Sequence, residues 1–239
     1  MSANVRRALS WLVTLLVPVV LVLGTVRAVL NPWFLEFEYR TPDFPPDQYG
    51  FSMQDRLKYA RVAVEYLVND AGIEFLGEER FPNGQQAPPE SCIFMDDCTL
   101  MYNERELGHM VDVKNTVQAA LRVWYGALLG LLVLGVWAWR GGWAQDFLLG
   151  LKRGGWLTVI LLGVIILLAL ILFQRIFVTF HKIFFIEGTW TFLTSDTLIR
   201  LFPERFWRDT FLIVGGLPAL MGLLLGLLVE RNRRRPESL

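Results

Sequence analysis

Histidine is almost absent from this chain, which has two copies among 239 residues, and cysteine is equally scarce. The 23 basic and 23 acidic side chains balance, so no net charge favours binding to nucleic acid. The serine-hydrolase sequence G-x-S-x-G and the zinc-protease sequence H-E-x-x-H are both missing. These absences argue against both enzyme classes.

Apolar side chains are in excess, at 54% of the residues, compared with about 45–50% in an ordinary soluble domain. Four runs approach or reach the roughly 20 apolar residues that cross a bilayer. They lie at 9–30, 117–139, 156–177 and 211–229. The first run is too long for a signal-peptide core, and Asn31-Pro32-Trp33 follows it instead of a cleavage site. We therefore expect four retained transmembrane helices.

Basic residues in the short connections predict the orientation of these helices. They precede the first span, separate the second from the third, and follow the fourth: Arg6, Arg7, Arg140, Lys152, Arg153, Arg231, Arg233, Arg234 and Arg235. Such residues stay cytoplasmic, which places both termini inside. The segments 32–116 and 178–210 then lie outside, and the first carries 7 basic and 16 acidic residues.

The predicted fold class is a mainly α integral membrane protein, with four transmembrane helices and a small extracytoplasmic α+β cap. The predicted order is transmembrane helix 1 (9–30), the cap (31–103), an outer helix continuing into transmembrane helix 2 (104–140), a cytoplasmic loop (141–155), transmembrane helix 3 (156–177), an aromatic-rich outer loop (178–210), transmembrane helix 4 (211–230) and a basic cytoplasmic tail (231–239). Within the cap, Ser52 and Asp55 have the S-x-x-D spacing of a capping box. Segment 91–102 suggests a short strand pair, and 201–209 a short surface helix.

Both cysteines belong to the predicted cap. Five residues separate Cys92 from Cys98, a spacing that permits a small disulfide loop in an oxidising compartment. Two free thiols are the alternative. A zinc site is less supported, because four nitrogen or sulfur ligands are usual and the remaining candidates are two distant histidines.

Both histidines stand next to predicted spans. On the helix that begins near Asn103, His109 has Glu106 three residues before it and Asp112 three residues after it. Side chains meet at this spacing, so a carboxylate could orient the imidazole, although a solvated helix face explains the same charges. A straight helix would hold His109 well outside the apolar run. To meet His181, the helix must bend or the second outer loop must rise.

Residues 173–211 hold 11 of the 32 aromatic residues. An aromatic belt at the membrane interface accounts for some of them, and a pocket for acyl chains would also need apolar walls. Trp190 and Asp196 lie among turn-forming residues in this segment. Arg27, Arg122 and Arg175 lie at the outward ends of spans. They either extend to lipid headgroups or meet Asp112, Asp196 or a phosphate or carbonyl of a substrate.

Two segments carry a resemblance to a known family. ERELGHMVDVKNTV before the second span and FHKIFFIEGTWTFLTSDTLIRLFPERFW after the third resemble the paired signatures of a bacterial four-helix membrane family, and DRLKYARVAVEYL fits as well. That family includes the lipoprotein intramolecular transacylase. The resemblance implies a diacylated lipoprotein substrate, whose sn-2 acyl chain moves from the diacylglyceryl group to the α-amine of the same N-terminal cysteine. It also implies catalytic roles for His109 and His181 on the outer side of the bacterial cytoplasmic membrane.

This chemistry suits two imidazoles, since one can act as base toward the amine and the other as acid toward the leaving oxygen. We expect no metal and no cofactor, and a monomer whose partners are the lipoprotein and membrane lipids, not nucleic acid. Four alternatives stay open: a metal site of both histidines with Asp112 or Asp196, a lipid- or lipoprotein-binding membrane protein without activity, a different lipid acyl-transfer enzyme of the family, and, less supported, a transporter.

Overall fold

The structure, a computed structural model, describes residues 1–185 and 188–234, with the backbone alone at 83 and 231–234. In chain order its helices are α1 (Ala3–Val29), α2 (Pro32–Tyr39), α3 (Met53–Val68), α4 (Glu74–Gly77), α5 (Pro89–Cys92), α6 (Glu104–Arg140), α7 (Ala144–Phe184), α8 (Thr197–Leu201) and α9 (Glu204–Arg234), with a 3₁₀ turn at Pro82–Gly84. Helices α1, α6, α7 and α9 are long and apolar enough to cross a membrane. The predicted membrane fold with four spans is confirmed.

The chain forms two compact units, and each combines segments that are distant in sequence. The first unit contains Met1–Arg27, Ala120–Leu172 and the chain from Phe211 onward. The second unit contains Ala28–Ala119 and Phe173–Thr210, and therefore holds both histidines and both cysteines.

Close contact between helices defines the first unit. Its buried core consists of Val13, Val17, Leu134, Ala138, Trp143 and Phe147. A Cβ atom added at Gly154 of α7 would lie 2.5 Å from the Val17 Cβ of α1, and one at Gly155 would lie 2.5 Å from the carbonyl oxygen of Gly222 in α9. These distances are shorter than van der Waals contacts allow. Small residues at helix contacts let the backbones approach in the way that is typical of membrane bundles.

The structure corrects the predicted cytoplasmic loop at 141–155. Helix α6 has the predicted range and ends at Arg140, and α7 already begins at Ala144. Gly142 adopts a positive φ of 69° in the short turn between them, a conformation that favours glycine. Hydropathy locates the end of an apolar run, whereas a helix continues through polar residues as long as its backbone hydrogen bonds are kept.

The predicted loop at 178–210 is also largely helical in its described part. Helix α7 continues to Phe184, and the surface helix predicted at 201–209 is instead the end of α8 and the start of α9. Pro203 separates these two helices, because the residue before a proline disfavours helical angles, and Phe202 has φ −124° and ψ 73°. Residues 186–187 of this loop and 235–239 of the predicted tail lie outside the described residues.

Helix α3 begins with the predicted capping box. The Ser52 hydroxyl accepts a hydrogen bond from the Asp55 N–H at 3.1 Å, and the Asp55 carboxylate accepts one from the Ser52 N–H at 3.1 Å. The helix packs one face into the second unit through buried residues that include Tyr59, Ala63 and Leu67. Burial of this apolar face helps to set the position of the helix in the unit.

A buried ion pair fixes α8 within the second unit. The Arg200 guanidinium donates two hydrogen bonds to the Asp47 carboxylate at 3.1 and 3.0 Å, and both side chains are almost fully buried. Burial alone would raise the pKa of Asp47, but hydrogen bonds from Arg200 and from the Phe51 N–H lower it overall. Arg56 donates to the Arg200 carbonyl at 3.0 Å and so connects α3 to the same helix.

The strand pair predicted at 91–102 is wrong, and with it the β part of the predicted cap. Within the described residues the only strand-like pairing is a single bridge between Arg80 and Leu100. It cannot extend past Phe81, because Pro82 has no N–H and starts the 3₁₀ turn. Cys92 ends α5 and is disulfide-bonded to Cys98, with Cα atoms 5.2 Å apart, so a closed loop occupies the predicted strand.

Candidate active site

The two histidines of the chain face each other in the second unit. The ring centroids of His109 on α6 and His181 on α7 are 6.2 Å apart, with the ring planes 19° from parallel. His181 lies on a helix instead of on a loop, because helical structure in α7 resumes after an interruption at Leu172, where φ is −127° and ψ is 31°, and extends to Phe184. The described residues show no direct hydrogen bond between the two rings.

Aromatic side chains surround the pair. Phe185 and Phe192 pack against His109 with ring centroids 5.0 and 5.3 Å away. Phe177 and Trp190 pack against His181 at 4.1 and 5.0 Å. Rings of this kind lower the local polarity and exclude water, which strengthens any charge–dipole interaction made inside the site.

Hydrogen bonding determines which nitrogen of His181 carries the proton. Its Nδ1 lies 2.8 Å from the carbonyl oxygen of Phe177. A carbonyl only accepts, so Nδ1 is the donor, and in the neutral ring Nε2 keeps the lone pair. The Nδ1 atom of His109, by contrast, is buried and has no hydrogen-bond partner in the described part of the chain. The two rings are therefore not equivalent, and His181 is the one already arranged to accept a proton.

Glu106 does not contact His109 as a carboxylate partner. It is buried, and its two carboxylate oxygens accept hydrogen bonds from the backbone N–H groups of Asn103 at 2.9 Å and Leu198 at 2.7 Å. The Asn103 side chain accepts in return from the Glu106 N–H at 3.0 Å, which completes the cap of α6. Asp112 makes no side-chain hydrogen bond or ion pair with any described residue.

Asp196 is the centre of a second buried network. Its carboxylate accepts hydrogen bonds from the Ser91 hydroxyl and the Leu193 N–H, both at 2.8 Å, and from the Asn103 amide at 3.2 Å. Arg105 adds an ion pair at 3.4 Å. The bond from Leu193 joins Asp196 to the segment that also contains Trp190 and Phe192.

Sequence reasoning placed Arg175 near the site, but the structure leaves it exposed on α7 with no ion pair to another described residue. Phe177 and Phe185, which it did not select, contact the histidines. They lie four residues before and after His181. On a helix these positions share one face with His181, so a prediction that α7 extends past 177 would have included both. In the described residues, no cluster of three or more His, Cys, Asp or Glu side chains could hold a metal ion.

Comparisons with known proteins find one family and several similar chains. The family model described as "Lipoprotein intramolecular transacylase Lit" matches residues 11–207, a range that includes both histidines. An uncharacterized protein of Aquifex aeolicus (strain VF5) is 27% identical over an alignment of 226 residues, and the match covers 92% of this chain and 92% of that protein.

Two solved structures are similar in fold. The membrane integral lipoprotein intramolecular transacylase Lit from Bacillus cereus superposes with a TM-score of 0.73 at 21% identity, over 98% of this chain and 99% of that one. A variant of that protein with one histidine replaced by alanine gives a TM-score of 0.69 at 20% identity, over 97% of each chain. At these identities the likeness establishes the fold alone.

Proposed function

This chain belongs to the lipoprotein intramolecular transacylase family, and on that premise we propose that it is an O-to-N acyltransferase of the membrane. Its substrate would be a lipoprotein whose N-terminal cysteine carries a diacylglyceryl group. The sn-2 acyl chain would move to the α-amine of that cysteine and leave a lyso-form lipoprotein. The observation that carries the proposal is the facing pair His109 and His181 within an aromatic enclosure.

The reaction needs one proton removed and one delivered. As the amine nitrogen attacks the ester carbonyl, His181 accepts the amine proton at Nε2, the nitrogen left free by the bond from Nδ1 to Phe177. The C–N bond forms, the ester C–O bond breaks, and the proton passes from His181 to His109, which delivers it to the glyceryl oxygen. Both rings end in the neutral form in which they began, so no net proton is consumed.

The substrate supplies its own nucleophile, which explains why two histidines suffice. An amine held next to its own ester has a high effective concentration when the site fixes the geometry. Water would compete for the same carbonyl and release a free fatty acid. The ring contacts of Phe185 and Phe192 with His109 support a site from which water is excluded.

The test is the mass spectrum of a lipoprotein N-terminus from a host that otherwise leaves lipoproteins diacylated. Expression of the chain should move one acyl group to the α-amine without changing the total mass. His109→Gln and His181→Gln should each reduce the transfer about 10²–10⁴-fold. Thr179→Ala, at an exposed position of the same helix as His181, is the matched control and should keep full activity.

Other results would select the alternatives. An unaltered diacylglyceryl-cysteine, despite good expression, would favour a lipid- or lipoprotein-binding role or a different lipid substrate. Full activity in either glutamine variant would exclude two-histidine catalysis even if transfer occurs. Metal analysis of the purified protein addresses the remaining alternative of a histidine metal site.

We also propose that both termini are cytoplasmic and that the histidines act on the outer side of the bacterial cytoplasmic membrane. The support is the distribution of basic residues, with Arg6, Arg7 and Arg140 at the ends of spans on one predicted side. In a variant without Cys92 and Cys98, Met53→Cys should react with an impermeant maleimide in intact cells. Arg140→Cys should react only after lysis, and the reverse pattern would overturn this orientation.

A further inference from the structure

Trp190 carries a buried hydrogen-bond donor that no described residue accepts. Its indole Nε1 is buried and has no hydrogen-bond partner in residues 1–185 and 188–234. An indole nitrogen can only donate, so the missing partner must be an acceptor. Buried polar groups are usually hydrogen-bonded, and an exception in a folded protein needs a reason.

The place of this donor suggests the reason. The Trp190 ring lies 5.0 Å from the His181 ring, centroid to centroid, with the planes 39° apart. Three residues after Trp190, the Leu193 N–H donates a hydrogen bond to Asp196 at 2.8 Å, which restrains this segment of the chain. Trp190 is thus adjacent to the histidine pair and lies in a segment that Asp196 holds in place.

We propose that the Trp190 indole N–H donates a hydrogen bond to the carbonyl oxygen of the ester under attack, which would make it a catalytic residue that stabilises the oxyanion. The inference rests on the proposed transacylase function. As the amine nitrogen bonds to the carbonyl carbon, the carbonyl π electrons move to this oxygen, and the negative charge develops opposite the indole. When the intermediate collapses, the C=O bond reforms, and the electrons of the breaking C–O bond leave with the glyceryl oxygen.

Two other buried nitrogens, on His109 and Arg105, have no hydrogen-bond partner among the described residues, and neither suits this role as well. His109 Nδ1 belongs to a ring whose proton the reaction already needs. The Nε atom of Arg105 is buried and unpartnered too, but its guanidinium group pairs with Asp196 at 3.4 Å and lies 4.8 Å from the centre of the Phe94 ring. Trp190 is the only one of the three that is a neutral, permanent donor in contact with His181.

The experiment removes the N–H and keeps the ring. Full-length protein in detergent, with benzothienylalanine incorporated at position 190, replaces the N–H by sulfur at nearly constant shape, and Trp190→Phe is the simpler version. With a synthetic diacylated lipopeptide as substrate, kcat should fall about 10²–10³-fold while KM changes by less than about threefold. The pH profile should keep its shape, because the histidines are untouched. Trp207→Phe, an exposed tryptophan in the same unit, should retain wild-type kcat.

Each other outcome is decisive. A kcat within about threefold of wild type for the benzothienyl variant would overturn the inference and leave the transacylase proposal standing. An increased KM with unchanged kcat would also overturn it, and would mean that the indole only lines the acyl pocket. A wild-type protein that transfers no acyl chain to the amine would overturn the function and this inference together.

Discussion

Buried carboxylates in the second unit differ in whether the protein supplies donors for them. Those of Glu106 and Asp196 each accept at least two hydrogen bonds, from backbone N–H groups or from side chains. Glu38 is equally buried, but its Oε1 has no partner in the described part of the chain. Burial raises the pKa of Glu38 to about 7, and a hydrogen bond with the Asp209 carboxyl adds to the rise.

The raised pKa of Glu38 predicts how stability depends on pH. Between its ordinary pKa of 4.5 and the folded value of about 7, the folded protein holds a proton that the unfolded chain releases, so this group makes the protein less stable as pH rises. Glu38→Gln removes the titration. We expect it to stabilise the protein at pH 8.5 by on the order of 2 kcal/mol relative to its effect at pH 4.5, measured by thermal unfolding in detergent at both values.

Glu36→Gln is the matched control for this experiment. Glu36 lies on the same helix but is partly exposed and pairs with Arg61 and Arg40. Exposed ion pairs contribute little, so its replacement should change stability by less than about 1 kcal/mol at either pH. Equal pH responses of the two variants would contradict the assignment to Glu38.

At the scale of elements, Asp196 connects the segment that carries Trp190 to the start of α6. Asp196→Asn leaves an amide among donors and removes the charge that faces Arg105. We expect a loss of about 2 kcal/mol in the free energy of unfolding, since a buried group loses its partners. We also expect faster backbone hydrogen exchange at 188–198 and a reduced kcat in this variant, because Asp196 would act by positioning the segment that carries Trp190.

Asp112→Asn tests whether the loss of stability in Asp196→Asn comes from the hydrogen bonds to Asp196. This is the same chemical change on a carboxylate without a partner in the described chain, and stability should stay within about 0.5 kcal/mol of wild type. If both variants lose equal stability, the hydrogen bonds to Asp196 do not account for the loss.

At the scale of the whole molecule, the close approach of helices within the first unit depends on glycine. Gly154→Ala would place a methyl group 2.5 Å from the Val17 Cβ and 2.9 Å from the Thr14 carbonyl oxygen. Because backbone must move to relieve this overlap, we expect a loss of about 1–3 kcal/mol in unfolding titrations.

Gly163→Ala is the same substitution in the same helix, at a position where an added Cβ meets nothing within 4 Å. Alanine favours a helix over glycine by about 0.5–1 kcal/mol, so this variant should be neutral or more stable. A similar loss in both variants would contradict the assignment of the loss to the close contact between Gly154 and α1.

Much of this protein could be predicted from the sequence, because membrane insertion and helix capping depend on local patterns. The apolar runs determined the four spans, and the Ser52–Asp55 spacing determined the start of α3. The chain has only two histidines, and both lie beside predicted spans. This pattern identifies His109 and His181 as candidates but does not give the distance between them.

The tertiary structure decided what depends on partners remote in the chain. The spacing predicts that Glu106 orients His109. In the structure its carboxylate instead accepts a hydrogen bond from the N–H of Leu198, 92 residues away, because a buried carboxylate needs donors and the fold brings this one close. The meeting of the two histidines accompanies an extension of α7 to Phe184, beyond its apolar run, which hydropathy does not record. Only the three-dimensional structure shows that the Trp190 donor is buried without an acceptor among the described residues, since burial and hydrogen bonding are properties of the surroundings and not of the residue.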